Sequence, residues 1–310
     1  MQRRDFLAAG LATAALSHTT SAQDVATDQA AVAETVKRFN LSYGPHEGQF
    51  KNLGGADIVE QINFAASQGF RSWEDNRATQ RTPEEQERIG QALADNDTQM
   101  GVFVVSPLED NFTKVTFAGD DDALKDKVLK AIKDGVAIAK RMNATWMTVV
   151  PGLYDPKLAW DYQTANVVEL LRRCSEILEP HDLVMVLEPL NHRTNHPGVF
   201  LTGTPQSYSI CRAVNSPACK ILYDIYHQQI TEGNLINNID LAWSEIAYIQ
   251  AGDNPGRKEP GTGEINYRNV FKHLHEKGFE GVVGMEHGMS KKGEEGERML
   301  IEAYRDADNF

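Results

Sequence analysis

Four residues that could do chemistry close otherwise apolar runs in the C-terminal half of this chain. Glu188 ends Val184-Met185-Val186-Leu187-Glu188, and Asp224 ends Ile221-Leu222-Tyr223-Asp224. Gln250 and Glu286 end two further runs, so the four stand 36, 26 and 36 residues apart. A carboxylate or carboxamide is costly to bury unless it is hydrogen-bonded, paired or bound to metal. One such residue is explained well enough as a helix cap or a partner for lysine. Its recurrence on four neighbouring runs is not. Three carboxylates and a carboxamide form a hard, all-oxygen ligand set. That set suits one divalent cation, Mg²⁺ or Mn²⁺ before Co²⁺ or Zn²⁺. His227 follows Asp224 at i+3, close enough to face the same ligand. Arg257, in Gly252-Asp253-Asn254-Pro255-Gly256-Arg257, could hold a substrate carboxylate bidentately. His46, Glu47, His192 and Arg193 rank behind these as substrate contacts. The glycine-rich stretch 259–264 matches no common phosphate-binding spacing and reads as a turn.

These residues need elements that bring them together. After residue 36, apolar runs at 38–43, 69–74, 99–105, 145–150, 183–188, 219–224, 245–250 and 281–286 read as buried parallel strands. Helical patterns fill the intervals at 56–68, from Thr82 onward, and at 121–142, 156–179, 205–214, 235–243, 267–277 and 294–306. Thr82 with Glu85 makes a capping box, and Gly278 stands where a helix C-terminal glycine belongs. Strict alternation of strand and helix demands crossover helices on a parallel sheet. Eight units of about 34 residues each predict an α/β protein, a single-domain (β/α)₈ TIM barrel spanning 37–310. An open doubly wound sheet would show an early glycine-rich turn, and none is present. In such a barrel the active site lies at the C-terminal ends of the strands, where the four residues stand.

The chain has 310 residues and a net charge of 31 − 44 = −13. An acidic chain lacks the clustered Lys and Arg that neutralise phosphates, so nucleic acid is not an expected partner. Arg3-Arg4-Asp5-Phe6-Leu7 opens a ten-residue apolar run, Leu7 to Leu16, followed by a small-residue stretch ending Thr20-Ser21-Ala22. This pattern predicts a twin-arginine signal peptide at 1–22, export to the periplasm and an N-terminal extension at 23–36. The run is too short to span a bilayer, which takes about 20 residues, so no stable membrane insertion is expected. Cys174, Cys211 and Cys219 offer no disulfide framework and are expected as buried small hydrophobes. The sequence leaves the oligomeric state open, homo-oligomers included.

At its strand ends the sequence resembles the xylose-isomerase-like barrel superfamily of sugar isomerases and epimerases, and within it the hydroxypyruvate isomerase family. The resemblance rests on Leu187-Glu188-Pro189-Leu190-Asn191, Pro197-Gly198-Val199-Phe200-Leu201 and Tyr223-Asp224-Ile225-Tyr226-His227. It continues through Gln250, Pro255-Gly256-Arg257, 259–267 and 281–286. The resemblance implies metal ligands at Glu188, Asp224, Gln250 and Glu286, an acid–base pair at Glu188 and Glu286, and substrate contacts at His227 and Arg257. It implies an aldose–ketose type isomerase working through an enediolate on a small α-hydroxycarbonyl compound, with hydroxypyruvate to tartronate semialdehyde as the leading reaction. Glutamine at 250, where many ketose epimerases have histidine, points to the hydroxypyruvate isomerase branch. Two features sit apart from that branch: the export signal and the loop 191–196. The alternatives are an exported ketose or keto-sugar epimerase, a metal-dependent phosphodiesterase of the endonuclease IV kind, and a non-catalytic sugar-binding barrel.

Overall fold

The computed structural model describes residues 38–105 and 110–310, so the expected signal peptide and extension lie outside the described residues. Residues 38–310 form one compact unit. Its strands are β1 Ser42–Gly44, β2 Ser72–Trp73, β3 Gln99–Met100, β4 Trp146–Val149, β5 Val184–Leu187, β6 Cys219–Asp224, β7 Ile246–Gln250 and β8 Val282–Gly284. Six of them pair in the order β1-β8-β7-β6-β5-β4, and β2 pairs with β3, all in parallel. Single parallel bridges join the two sheets: His46 with Glu74, Met100 with Ala144 and Val104 with Thr148. Every strand thus meets its sequence neighbours and β8 meets β1, the circuit of a (β/α)₈ barrel.

The expected runs are longer than the strands they contain. The run 99–105 holds only a two-residue strand and the bridge at Val104. Glu188 and Glu286 stand just beyond β5 and β8 rather than within them.

Helices α1 Ile58–Ser67, α2 Pro83–Asp95, α3 Asp122–Met142, α4 Trp160–Leu178 and α5 Thr204–Val214 cover the first strands. Then come α6 Ile225–Thr231, α7 Leu235–Ala242, α8 Tyr267–Glu276 and α9 Gly293–Ala307. The short α6 has no counterpart among the expected helices. It begins directly at Asp224, whose side chain caps it, and seven residues are too few to show a helical period. The capping box at Thr82 and Glu85 forms in both directions, at 3.2 and 2.9 Å, worth about 1 kcal/mol. Gly278 takes φ +73°, the left-handed ending that glycine adopts without strain.

Two apolar layers result. A large one joins strand faces to helices. A small one fills the barrel interior with Val102, Val186, Leu222, Tyr248 and Val282. The three cysteines are free and buried, as expected of small hydrophobes.

Candidate active site at the carboxyl rim

Asp224 is the best-fixed residue of the site. Its Oδ1 accepts from the backbone N–H of Tyr226 at 2.8 Å and of His227 at 3.3 Å, capping α6. That holds Oδ2 toward the rim, 3.2 Å from Arg257 Nη2 and 3.6 Å from His227 Nε2. Arg257 Nη2 also donates to Glu286 Oε2 at 2.7 Å, and its guanidinium lies over the Tyr226 ring. Arg257 is therefore engaged by two carboxylates of the site.

Glu188, Asp224 and His227 each present a donor atom within 4.8 Å of the others. The sequence reading placed Gln250 in this set and His227 beside it. Register places Gln250 directly across from Asp224 on the neighbouring strand. A shift between β6 and β7 makes that possible: Ile221 pairs with Ile246, but Leu222 pairs with Tyr248. Without the extra residue, Asp224 would face Ile249. Gln250 Nε2 then donates to Glu74 Oε1 at 3.1 Å, and Gln250 Oε1 is left buried without a partner.

The tautomer of His227 settles what that ring can do. The backbone N–H of Asn191 donates to Nδ1 at 3.2 Å, and a backbone amide can only donate. Burial pushes the imidazole pKa down to about 4, so the ring is neutral at pH 7. Its single proton is therefore on Nε2, the atom facing Asp224 and Glu188. His227 presents an N–H donor, not a lone pair, which suits a substrate oxygen better than a cation.

Asp224 and Glu286 share the Arg257 guanidinium, and Glu188 lies beside Asp224. Burial, then the nearby Glu286 and Asp224, raise the Glu188 pKa well above the carboxylate range. Burial raises Glu286 to about 7; Arg257 opposes that shift and Asp224 adds to it. Like charges gathered in a low-dielectric setting ionise reluctantly unless a cation joins them. The donor chemistry, the surplus of negative charge and the orphaned carbonyl oxygen of Gln250 together fit a hard divalent ion held by Glu188, Asp224, Gln250 and Glu286.

A cavity of about 550 Å³ opens beside this cluster, lined by Glu286, Glu74, His46, Lys51 and Arg77 among others. Sequence reasoning did not single out Glu74. It is fully buried at the end of β2, and Tyr248 Oη donates to its Oε1 at 2.9 Å. Its signal was present: run 69–74 ends in an acid at the same rim as the other four. His46 lines the cavity, as its position after β1 suggested.

A family model described as a xylose isomerase-like TIM barrel matches residues 62–306. The hydroxypyruvate isomerase of Escherichia coli K12 is 35% identical over 188 residues, covering 60% of this chain and 70% of that protein. The 2-oxo-tetronate isomerase of Pectobacterium atrosepticum is 28% identical over 177 residues, covering 56% of this chain and 67% of that one. A solved Brucella melitensis barrel described as AP endonuclease, family 2, superimposes with a TM-score of 0.71. It covers 83% of this chain and 96% of its own, and at 23% identity it speaks to the fold alone. The chain belongs to the xylose isomerase-like TIM barrel family and, within it, to the isomerases of the hydroxypyruvate isomerase group.

Proposed function

We propose that this small-sugar isomerase is divalent-metal-dependent and interconverts an α-hydroxyketone and an α-hydroxyaldehyde, with hydroxypyruvate and tartronate semialdehyde as the leading pair. The observation that carries the proposal is that Asp224 gathers the site's acids: it shares the Arg257 guanidinium with Glu286 and lies within 4.8 Å of donor atoms of Glu188 and His227, beside the unpartnered Gln250 oxygen. When bound, a divalent cation would supply Lewis-acid polarisation of the substrate's oxygens.

The chain's own groups do the rest. One of Glu188 and Glu286 removes a proton from the carbon bearing the hydroxyl and the other returns a proton to the neighbouring carbon, while the hydroxyl proton passes to the former carbonyl oxygen. His227 Nε2–H donates to a substrate oxygen as charge develops there, and Asn191 holds that tautomer. Arg257 keeps Asp224 and Glu286 in place. Each positioned proton transfer contributes about 10²- to 10⁴-fold in rate.

The cavity volume favours a second reading. At about 550 Å³ it has room for a keto-sugar or sugar acid of four or more carbons, in line with an epimerase or an isomerase of longer acids. We also propose that residues 1–22 direct export; cell fractionation of a tagged chain tests this, and retention in the cytoplasm would overturn it.

The functional test is incubation with hydroxypyruvate, four-carbon keto acids and keto-sugars in deuterated water, with and without Mn²⁺. Cation-dependent deuterium uptake at carbon is expected for the true substrate. Exchange that persists after exhaustive metal removal would overturn the metal-dependent reading.

A further inference from the structure

We infer that Glu74 is a positioning residue that sets the amide of Gln250 so that its carbonyl oxygen serves as a metal ligand. A glutamine amide offers an oxygen on one arm and an N–H₂ on the other, and only the oxygen can bind a cation. Nothing in the local sequence of β7 decides which arm turns inward. Glu74 does: its Oε1 accepts from Gln250 Nε2 at 3.1 Å, which commits the nitrogen arm and leaves Oε1 buried and unpartnered. The same Glu74 oxygen accepts from Tyr248 Oη at 2.9 Å, so the carboxylate is itself held from two sides. Either protonation state of Glu74 is compatible, since a proton on Oε2 leaves Oε1 an acceptor.

The barrel makes room for this arrangement at specific places. A Cβ at Gly284 on β8 would overlap Glu74 Oε1, and one at Gly101 after β3 would overlap Tyr248 Oη. At Gly44 on β1 a Cβ would meet Val282 at 3.1 Å, with Glu74 Cγ at 3.6 Å. Glycines at such places mark close approach of another group. Gly284 and Gly101 thus forgo a side chain where the Tyr248–Glu74–Gln250 chain crosses the barrel. Outer partners that orient metal ligands characteristically change affinity by about 10- to 100-fold.

The inference rests on Gln250 being a ligand, so the experiment separates the two claims. Mn²⁺ affinity is measured by calorimetry on the metal-stripped full chain and on four variants: Gln250→Ala, Glu74→Leu, Gln250→Glu, and Glu74→Leu with Gln250→Glu. Gln250→Ala should weaken Mn²⁺ binding; unchanged affinity would overturn the ligand reading itself. Glu74→Leu keeps much of the volume but removes the acceptor, so either arm of the Gln250 amide can turn inward, and it should weaken binding about 10-fold. A carboxylate at 250 offers an oxygen on both arms, so the double variant should recover the affinity that Glu74→Leu loses. Wild-type affinity in Glu74→Leu, or a loss that Gln250→Glu does not rescue, would overturn the positioning role while leaving the ligand reading standing. Should Glu74→Leu fail to fold, Tyr248→Phe removes the second bond to the carboxylate and should weaken Mn²⁺ binding several-fold. No change in Tyr248→Phe would then overturn the inference.

Discussion

Replacing Glu286 with glutamine separates the proton-transfer role from every other thing this residue does. Glu286 accepts from Arg257 Nη2 at 2.7 Å and keeps 28% of its side chain exposed. A glutamine there preserves the shape, the acceptor for Arg257 and an oxygen for a cation. The lost partly exposed ion pair should cost no more than about 1 kcal/mol of stability. Proton transfer is a different matter, because an amide cannot cycle a proton near neutral pH. The rate should fall at least ~10²-fold, or about 2.7 kcal/mol at 1.36 kcal/mol per decade. The assay is deuterium exchange and turnover on Mn²⁺-loaded protein, with metal content and melting temperature measured on the same sample. Expected are near-normal melting and, with Mn²⁺ held saturating so that the site is loaded, loss of both exchange and turnover. A metal-loaded Glu286→Gln protein that exchanges and turns over near the wild-type rate would refute the two-glutamate mechanism, leaving Glu188 or a water as base.

Asp224→Asn keeps the Oδ1 that caps α6 but turns a charged donor neutral, so it should mainly weaken cation retention, with activity partly restored by excess Mn²⁺; activity that stays lost in saturating metal would refute that division of roles. Gly284→Ala places a methyl group against the Glu74 carboxylate and should cost about 1–3 kcal/mol in urea unfolding, with weakened Mn²⁺ binding; a neutral effect on both would show that Glu74 is free to move. The metal-free protein should lose stability between about pH 6.5 and 8. Burial lowers His227 and His287 to about 4, so their contribution grows with pH only until about pH 6.5, the unfolded value, and adds nothing above it. Burial, reinforced by Glu286, raises Glu74 from 4.5 to about 8, so the folded chain binds more protons and stability falls up to about pH 8. Added divalent cation should raise the melting temperature more at pH 8 than at pH 5.5; a larger gain at pH 5.5 would contradict the assignment.

The sequence by itself determined that polar residues close four apolar strands of the C-terminal half. Glu188, Asp224, Gln250 and Glu286 each close an apolar run, and a (β/α)₈ cadence sends every such end to one rim. Those are local properties, with a period of one unit, so they survive without knowledge of contacts. The capping box at Thr82 and the turn at Gly278 were legible for the same reason. The tertiary structure alone decided what each side chain presents. The β6–β7 register shift puts Gln250 opposite Asp224, and a change of one residue in pairing leaves no mark on composition or period. Arg257 is taken up by Asp224 and Glu286, 33 and 29 residues away. Asn191 picks the His227 tautomer from 36 residues away. Glu74 reaches its partners Tyr248 and Gln250 across 174 and 176 residues of chain. A single sequence records the residue types at such positions, but a hydrogen bond is a matter of angstroms between distant segments, and only closure of the barrel supplies that distance.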